Sequence, residues 1–113
     1  MPSWRKTTLT ILNGQTASEE LDLTDGLGVR RVKSITFFSP ATLPETVTVH
    51  VAPQAGGTYQ ALQSGGTDFT LPANKATLLT GFTVGALKLV ASVAVASGRV
   101  FTLRGAAEGV ITA

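Results

Sequence analysis

Apolar residues in this chain fall, almost throughout, on a two-residue period. Leu9 and Ile11 alternate with Thr8 and Thr10, Leu21 and Leu23 with Glu20 and Asp22, Ile35 and Phe37 with Ser34 and Thr36. Val47, Val49 and Val51 alternate with Thr46, Thr48 and His50; Leu87 and Leu89 flank Lys88; Phe101 and Leu103 flank Thr102. Successive side chains of a strand point to opposite faces, so the pattern predicts strands with one face in a core and one face out. The outward positions are rich in threonine, whose branched Cβ suits a pleated surface.

Turn residues cut the pattern into short pieces. Asn13-Gly14 follows the first run, and Asp25-Gly26 and Gly28 end the second. Ser39-Pro40 and Leu43-Pro44 bracket a loop, with Ala41–Glu45 long enough for one helical turn. Ala55-Gly56-Gly57, Ser64-Gly65-Gly66, Pro72-Ala73-Asn74 and Ser97-Gly98 supply further breaks, and the glycine pairs read as turns that need positive φ. Gly81 and Gly85 divide the apolar stretch from Leu78 to Val90. Ala86–Val95 fits a buried strand or a short helix, and its Gly neighbours and Val content favour the strand. Thr58–Leu62, Asp68–Leu71, Arg99–Arg104 and Val110-Ile111 complete a series of eight to ten short strands. That series predicts an all-β fold, a single-domain β-sandwich (jelly-roll-like) with mainly antiparallel strands. The sandwich is expected over residues 8–113, behind an N-terminal arm of residues 1–7.

One hundred and thirteen residues make one domain. Only 14% of them are charged, about half the share of an ordinary soluble domain. The absence of cysteine excludes disulfides, thiolate catalysis and iron–sulfur sites. No apolar run reaches the roughly 18 residues of a membrane span, so no membrane partner is expected. Arg5 and Lys6 lack the apolar stretch of a secretory signal behind them. The net charge is +2, and the one basic run, Arg30, Arg31 and Lys33, follows Asp22 and Asp25. A nucleic-acid interface needs a denser basic footprint, so no nucleic-acid partner is expected.

The chemical inventory is thin. His50 is the only histidine, on the outward phase of its strand, and a lone imidazole is neither a triad nor a metal site. Glu19, Glu20, Asp22 and Asp25 form the one acidic cluster. Glu20 and Asp22 share a strand face, but no aromatic residues flank them to build a glycosidase pocket, and the spacing is not that of a calcium loop. Neither glycine pair precedes Lys-Ser or Lys-Thr, so neither is a phosphate loop. No catalytic residue, cofactor or metal is therefore expected. Phe37, Phe69 and Phe101 fit core positions. Trp4 stands in a polar segment, where a large aromatic either anchors on a partner or packs back on its own domain. With Arg5 and Lys6 it is the candidate partner-binding segment. The low charge also leaves weak electrostatic protection against association, as suits a subunit whose flanks are covered by neighbours.

Gly14-Gln15-Thr16-Ala17-Ser18 followed by Leu21-Asp22-Leu23 resembles the opening of small β-rich virion proteins of tailed bacteriophages. The resemblance continues through Val32–Phe38, the loop Ser39–Glu45, Thr46–Ala52, and the Gly-Gly-Thr-Tyr hairpin at Gly56–Tyr59 with Leu62. It closes with Leu87–Ser92 and Arg99–Leu103, and so spans about residues 8 to 105. The chain departs from the pattern at Ala55, where an acidic residue often precedes the glycines, and in a short connection at Ala94–Gly98. The resemblance implies a structural, non-enzymatic role in the virion and carries over no functional residues.

Together these features lead to a capsid decoration (cement) protein, assembled in the host bacterial cytoplasm and binding the major capsid protein or other virion subunits. A homo-oligomer, trimer or dimer, suits lattice symmetry axes. A neck or tail component, such as a head–tail joining or tail accessory subunit, is the alternative. A receptor- or carbohydrate-binding module would need more exposed aromatics than one Tyr and one Trp.

Overall fold

In a computed structural model the chain is described over residues 4–23, 32–80 and 85–107. These residues form ten strands and no helix: β1 (Trp4–Ile11), β2 (Leu21–Asp22), β3 (Val32–Phe38), β4 (Val47–Ala52), β5 (Gln60–Ala61), β6 (Gln63–Ser64), β7 (Thr67–Asp68), β8 (Ala76–Thr80), β9 (Ala86–Ala91) and β10 (Arg99–Ala107). Two four-stranded sheets, β1-β10-β3-β8 and β2-β9-β4-β5, are antiparallel throughout. The pairs β1·β10, β2·β9 and β3·β8 nest around β4·β5, as if one long hairpin had been rolled up. That is the jelly-roll order, which the period-two pattern leads one to expect only in outline. The β6–β7 hairpin is inserted between β5 and β8.

The alternating residues pack between the sheets. Leu9, Ile11, Ile35, Phe37, Phe101 and Leu103 enter from the first sheet, and Val47, Val49, Leu87 and Leu89 from the second. Val95, Leu23, Leu71 and Leu79 close the core at its margins. Phe69 is half-buried, its ring centroid 6.3 Å from that of Phe37. Leucines 87 and 89 settle the first part of the ambiguous stretch: both face inward, opposite β4, as a strand requires, but the strand ends at Ala91 and residues 92–95 are irregular.

The turns follow their glycines. Gly65 and Gly66 both have positive φ, 65° and 86°, as a two-residue hairpin of the twist-matching kind requires, and they join β6 to β7. Gly56 at φ 79° stands third in a turn closed by Gly57 N–H donating to Gln54 O at 3.0 Å.

Three local expectations are corrected. Ala41–Glu45 forms no helical turn. Residues 69–71 are not a separate strand; they run along β4, with Val49 N–H donating to Phe69 O and Leu71 N–H to Val47 O, both at 2.9 Å. The boundary between arm and sandwich falls inside β1, because the strand begins at Trp4 and residues 4–7 are paired with β10. Asp25-Gly26, Gly28, Arg30, Arg31, Gly81 and Val110-Ile111 lie outside the described residues.

Candidate interaction surfaces

The predicted partner-binding residues sit at one end of an edge strand. The backbone of Trp4, Arg5 and Lys6 lies opposite Ala106, Gly105 and Arg104. At the other end of β1 the outer edge is closed: Thr10 N–H donates to Glu19 Oε1 at 2.9 Å, and Ile11 bridges Ser18. From Trp4 to Leu9 no described strand pairs with that edge, and an open edge is a template for another chain.

Among the described side chains, the outward face of the first sheet is nearly free of charge. Thr8 and Thr10 of β1, Thr102 of β10, Ser34 and Thr36 of β3, and Thr80 of β8 occupy it, and Arg104 is the charged residue among the described side chains of those strands' outward positions. Three apolar side chains break this polar surface: Val100, 50% exposed, Phe38, 42% exposed, and Leu78, 62% exposed. The register places Phe38 beside Thr102 and Ala76, so Val100 and Leu78 are its diagonal neighbours on either side. They form an oblique apolar stripe across β10, β3 and β8. Diagonal neighbours of this kind are within reach of aromatic and long side chains.

The second sheet gathers the titratable groups that the sequence scatters. Its outward positions bring His50 opposite Lys88. Glu20 Oε2 accepts the Gly56 N–H at 2.7 Å and a short hydrogen bond from the Tyr59 hydroxyl. The Lys88 ammonium lies 4.6 Å from the centre of the Tyr59 ring. The Gly56 N–H, then the Tyr59 hydroxyl, hold the Glu20 carboxyl below its ordinary value. Burial first, then Glu20, pushes the Tyr59 phenol up. Burial, helped by Lys88 and opposed by Asp68, lowers His50, which keeps the imidazole neutral at pH 7. The cluster is a strut: it pins the 53–59 loop to Glu20, the residue before β2. Among the described residues no three His, Asp or Glu side chains converge as a metal site. The one tyrosine is engaged at its hydroxyl by Glu20 and over its ring by Lys88.

One pair escaped the sequence reading altogether. The Arg99 guanidinium forks onto Glu45, Nε to Oε1 and Nη2 to Oε2, both at 3.1 Å, and Nη1 donates to Ser97 Oγ at 3.1 Å. The two side chains are only 10% and 6% exposed. This fork ties the start of β10 to the loop before β4, across 54 positions that no local pattern links. Hydrogen bonding to Arg99 holds the Glu45 carboxyl below its ordinary value of 4.5. Its stabilising contribution is therefore full above that value and lost as pH falls through the lowered folded value. From about pH 5 to about pH 3 the urea midpoint of the native protein is expected to fall more steeply than that of Glu45→Gln. Equal slopes in the two proteins would show that this pair does not contribute to acid sensitivity.

No protein-family profile matches the sequence, and no curated protein matches it. The fold, by contrast, has solved counterparts. The chain shares its fold with a prophage protein. YomS, derived from the SPBc2 prophage, superposes with a TM-score of 0.57 at 14% identity, over 96% of this chain and 97% of that one. IMPa from Pseudomonas aeruginosa, solved in complex with an O-glycopeptide, gives 0.54 at 19% identity, over 95% of this chain but 13% of the much longer other. The Yersinia pseudotuberculosis-derived mitogen gives 0.48 at 13% identity, over 94% and 86% of the two chains. For YomS and IMPa, at such identities, the likeness is one of fold.

Proposed function

We propose that this protein is a non-enzymatic structural subunit of a tailed-phage particle, and within it a decoration protein that binds the assembled major capsid lattice. The observation that carries the reading is the charge-poor, threonine-rich outer face of the first sheet with its stripe of Val100, Phe38 and Leu78. A face of this kind is suited to being covered rather than to standing in water. The resemblance of the sequence to virion proteins and the shared fold with YomS, a prophage-derived protein, support the same reading. Binding only the assembled lattice stabilises that lattice by mass action, with no chemistry required. The contacts assigned to the capsid are this outer face together with Trp4, Arg5 and Lys6 and the edge of β1 that they begin, through which a neighbour's strand is added.

The test is the number of copies per particle, measured by quantitative mass spectrometry on purified virions of the phage that encodes the chain. A decoration protein is expected at hundreds of copies. About a dozen or fewer would replace the capsid reading with a neck or tail ring. Absence from the virion would overturn both.

A further inference from the structure

We infer that the edge of β8 left unpaired by the described strands is a self-association site, through which a second copy of this chain joins the first sheet about a two-fold axis centred on Leu78. The inference stands independently of the particle reading.

β8 ends its sheet, with β3 on one side and no described strand on the other. Ser39 N–H donates to Lys75 O at 3.0 Å, and the register continues as Phe37 opposite Thr77 and Ile35 opposite Leu79. In an antiparallel ladder both backbone groups of a residue face the same neighbour, and successive residues alternate. The N–H and C=O of Thr77 and Leu79 therefore face β3, and those of Ala76, Leu78 and Thr80 face the open edge. The side chains of these same three residues point to the outward face and are exposed.

Such an edge matches a copy of itself. Two β8 strands run antiparallel about a two-fold set Leu78 opposite Leu78 and Ala76 opposite Thr80. Each of the three pairs then exchanges two N–H···O bonds. Leu78 meets its own counterpart across the axis, and the Val100–Phe38–Leu78 stripes of the two copies join into one.

Charge decides for a second copy and for this edge. The segment Ala76–Thr80 carries no charged residue, and it lacks the proline, bulge or inward charge that natural edges use to repel pairing. The other edge of the sheet, β1, carries Arg5 and Lys6, so two copies meeting there bring like charges together, whereas an acidic neighbour is attracted. The two edges are thus divided, β8 for self and β1 for another chain. A five-residue edge is at the small end of interfaces. The free protein is accordingly expected to be half-dimerised at roughly 100 µM, and more fully on a lattice where local concentration is high.

The chain has no cysteine, which makes the test clean. Cα atoms of a hydrogen-bonded antiparallel pair lie about 5.5 Å apart, within disulfide reach. Under mild oxidation Leu78→Cys is expected to convert most of the protein into a covalent dimer, while Val100→Cys, two strands away on the same face, stays monomeric. Sedimentation of the protein with its native sequence should show a monomer–dimer equilibrium, and Leu78→Lys, which sets two ammonium groups face to face, should weaken it at least about tenfold. Circular dichroism checks that the variants are folded. A strictly monomeric protein up to about 1 mM, a trimer, equal cross-linking at positions 78 and 100, or an undiminished dimer in Leu78→Lys would each overturn the inference.

Discussion

Gly85→Ala is expected to cost about 3 kcal/mol or more, lowering the thermal midpoint by roughly 10–20 °C. A Cβ placed on Gly85 lands on the Pro53 carbonyl oxygen, 2.6 Å from the Pro53 carbonyl carbon and 2.7 Å from Gln54 Cα. All three are backbone atoms, so no side chain can rotate aside. Nor is the glycine free to withdraw. Its N–H donates to Ala52 O and its carbonyl accepts Leu23 N–H, both at 2.9 Å, tying β2 to the end of β4. The displaced segment also carries the Gln54–Gly57 turn and Tyr59, so the strut to Glu20 is lost with it. Gly14→Ala is the control: its φ is 84°, but a Cβ there meets nothing within 4 Å, and about 1 kcal/mol is expected. Urea denaturation of both variants decides the point. A loss at Gly85 no greater than that at Gly14 would show that the loop yields and that close approach is not what fixes this glycine.

Sequence pattern and structure agree where the physics is local. A two-residue period fixes which side of a strand is wet, so the inward set from Leu9 to Leu103 was legible, as were the turn at Gly14 and the positive φ of Gly56, Gly65 and Gly66, whereas Gly57 closes its turn without one. What the pattern lacks is information about partners. The nesting of β1·β10 around β2·β9 and β3·β8 depends on which edges meet, and an alternating run is equally content beside any neighbour. Glu45 and Arg99 stand 54 positions apart with no local pattern to join them; only closure of the roll buries them against each other. Glu20 and Tyr59, 39 positions apart, became a strut in the same way. Ala41–Glu45 has the length of a helical turn, yet it spans from one sheet to the other, and that span overrides local preference. The start of β1 was missed for a related reason. Trp4-Arg5-Lys6-Thr7 shows no alternation to mark a strand, and it is one because β10 extends to Ala107 and offers it an edge.

That extension changes how the partner-binding segment has to be tested. Removing residues 1–6 would have been a clean experiment on a detached arm. On an edge strand it strips backbone pairs opposite Arg104, Gly105 and Ala106, so a loss of attachment would be mixed with a loss of folding. A point substitution separates the two, because strand pairing is made by the backbone. Trp4→Ala is expected to weaken binding to particles stripped of this protein by about thirtyfold or more, the loss typical of an aromatic anchor at an interface. Its β1·β10 pairing should persist, read as unchanged strand content by circular dichroism. Replacing Arg5 and Lys6 by Gln should act differently, lowering affinity at low salt and little at high salt, because exposed charges are screened. The deletion should then show the combined phenotype, weaker attachment together with a lower thermal midpoint. If Trp4→Ala coats stripped particles with undiminished affinity, Trp4 is not the anchor, and the capsid contact has to be sought on the outer face of the first sheet.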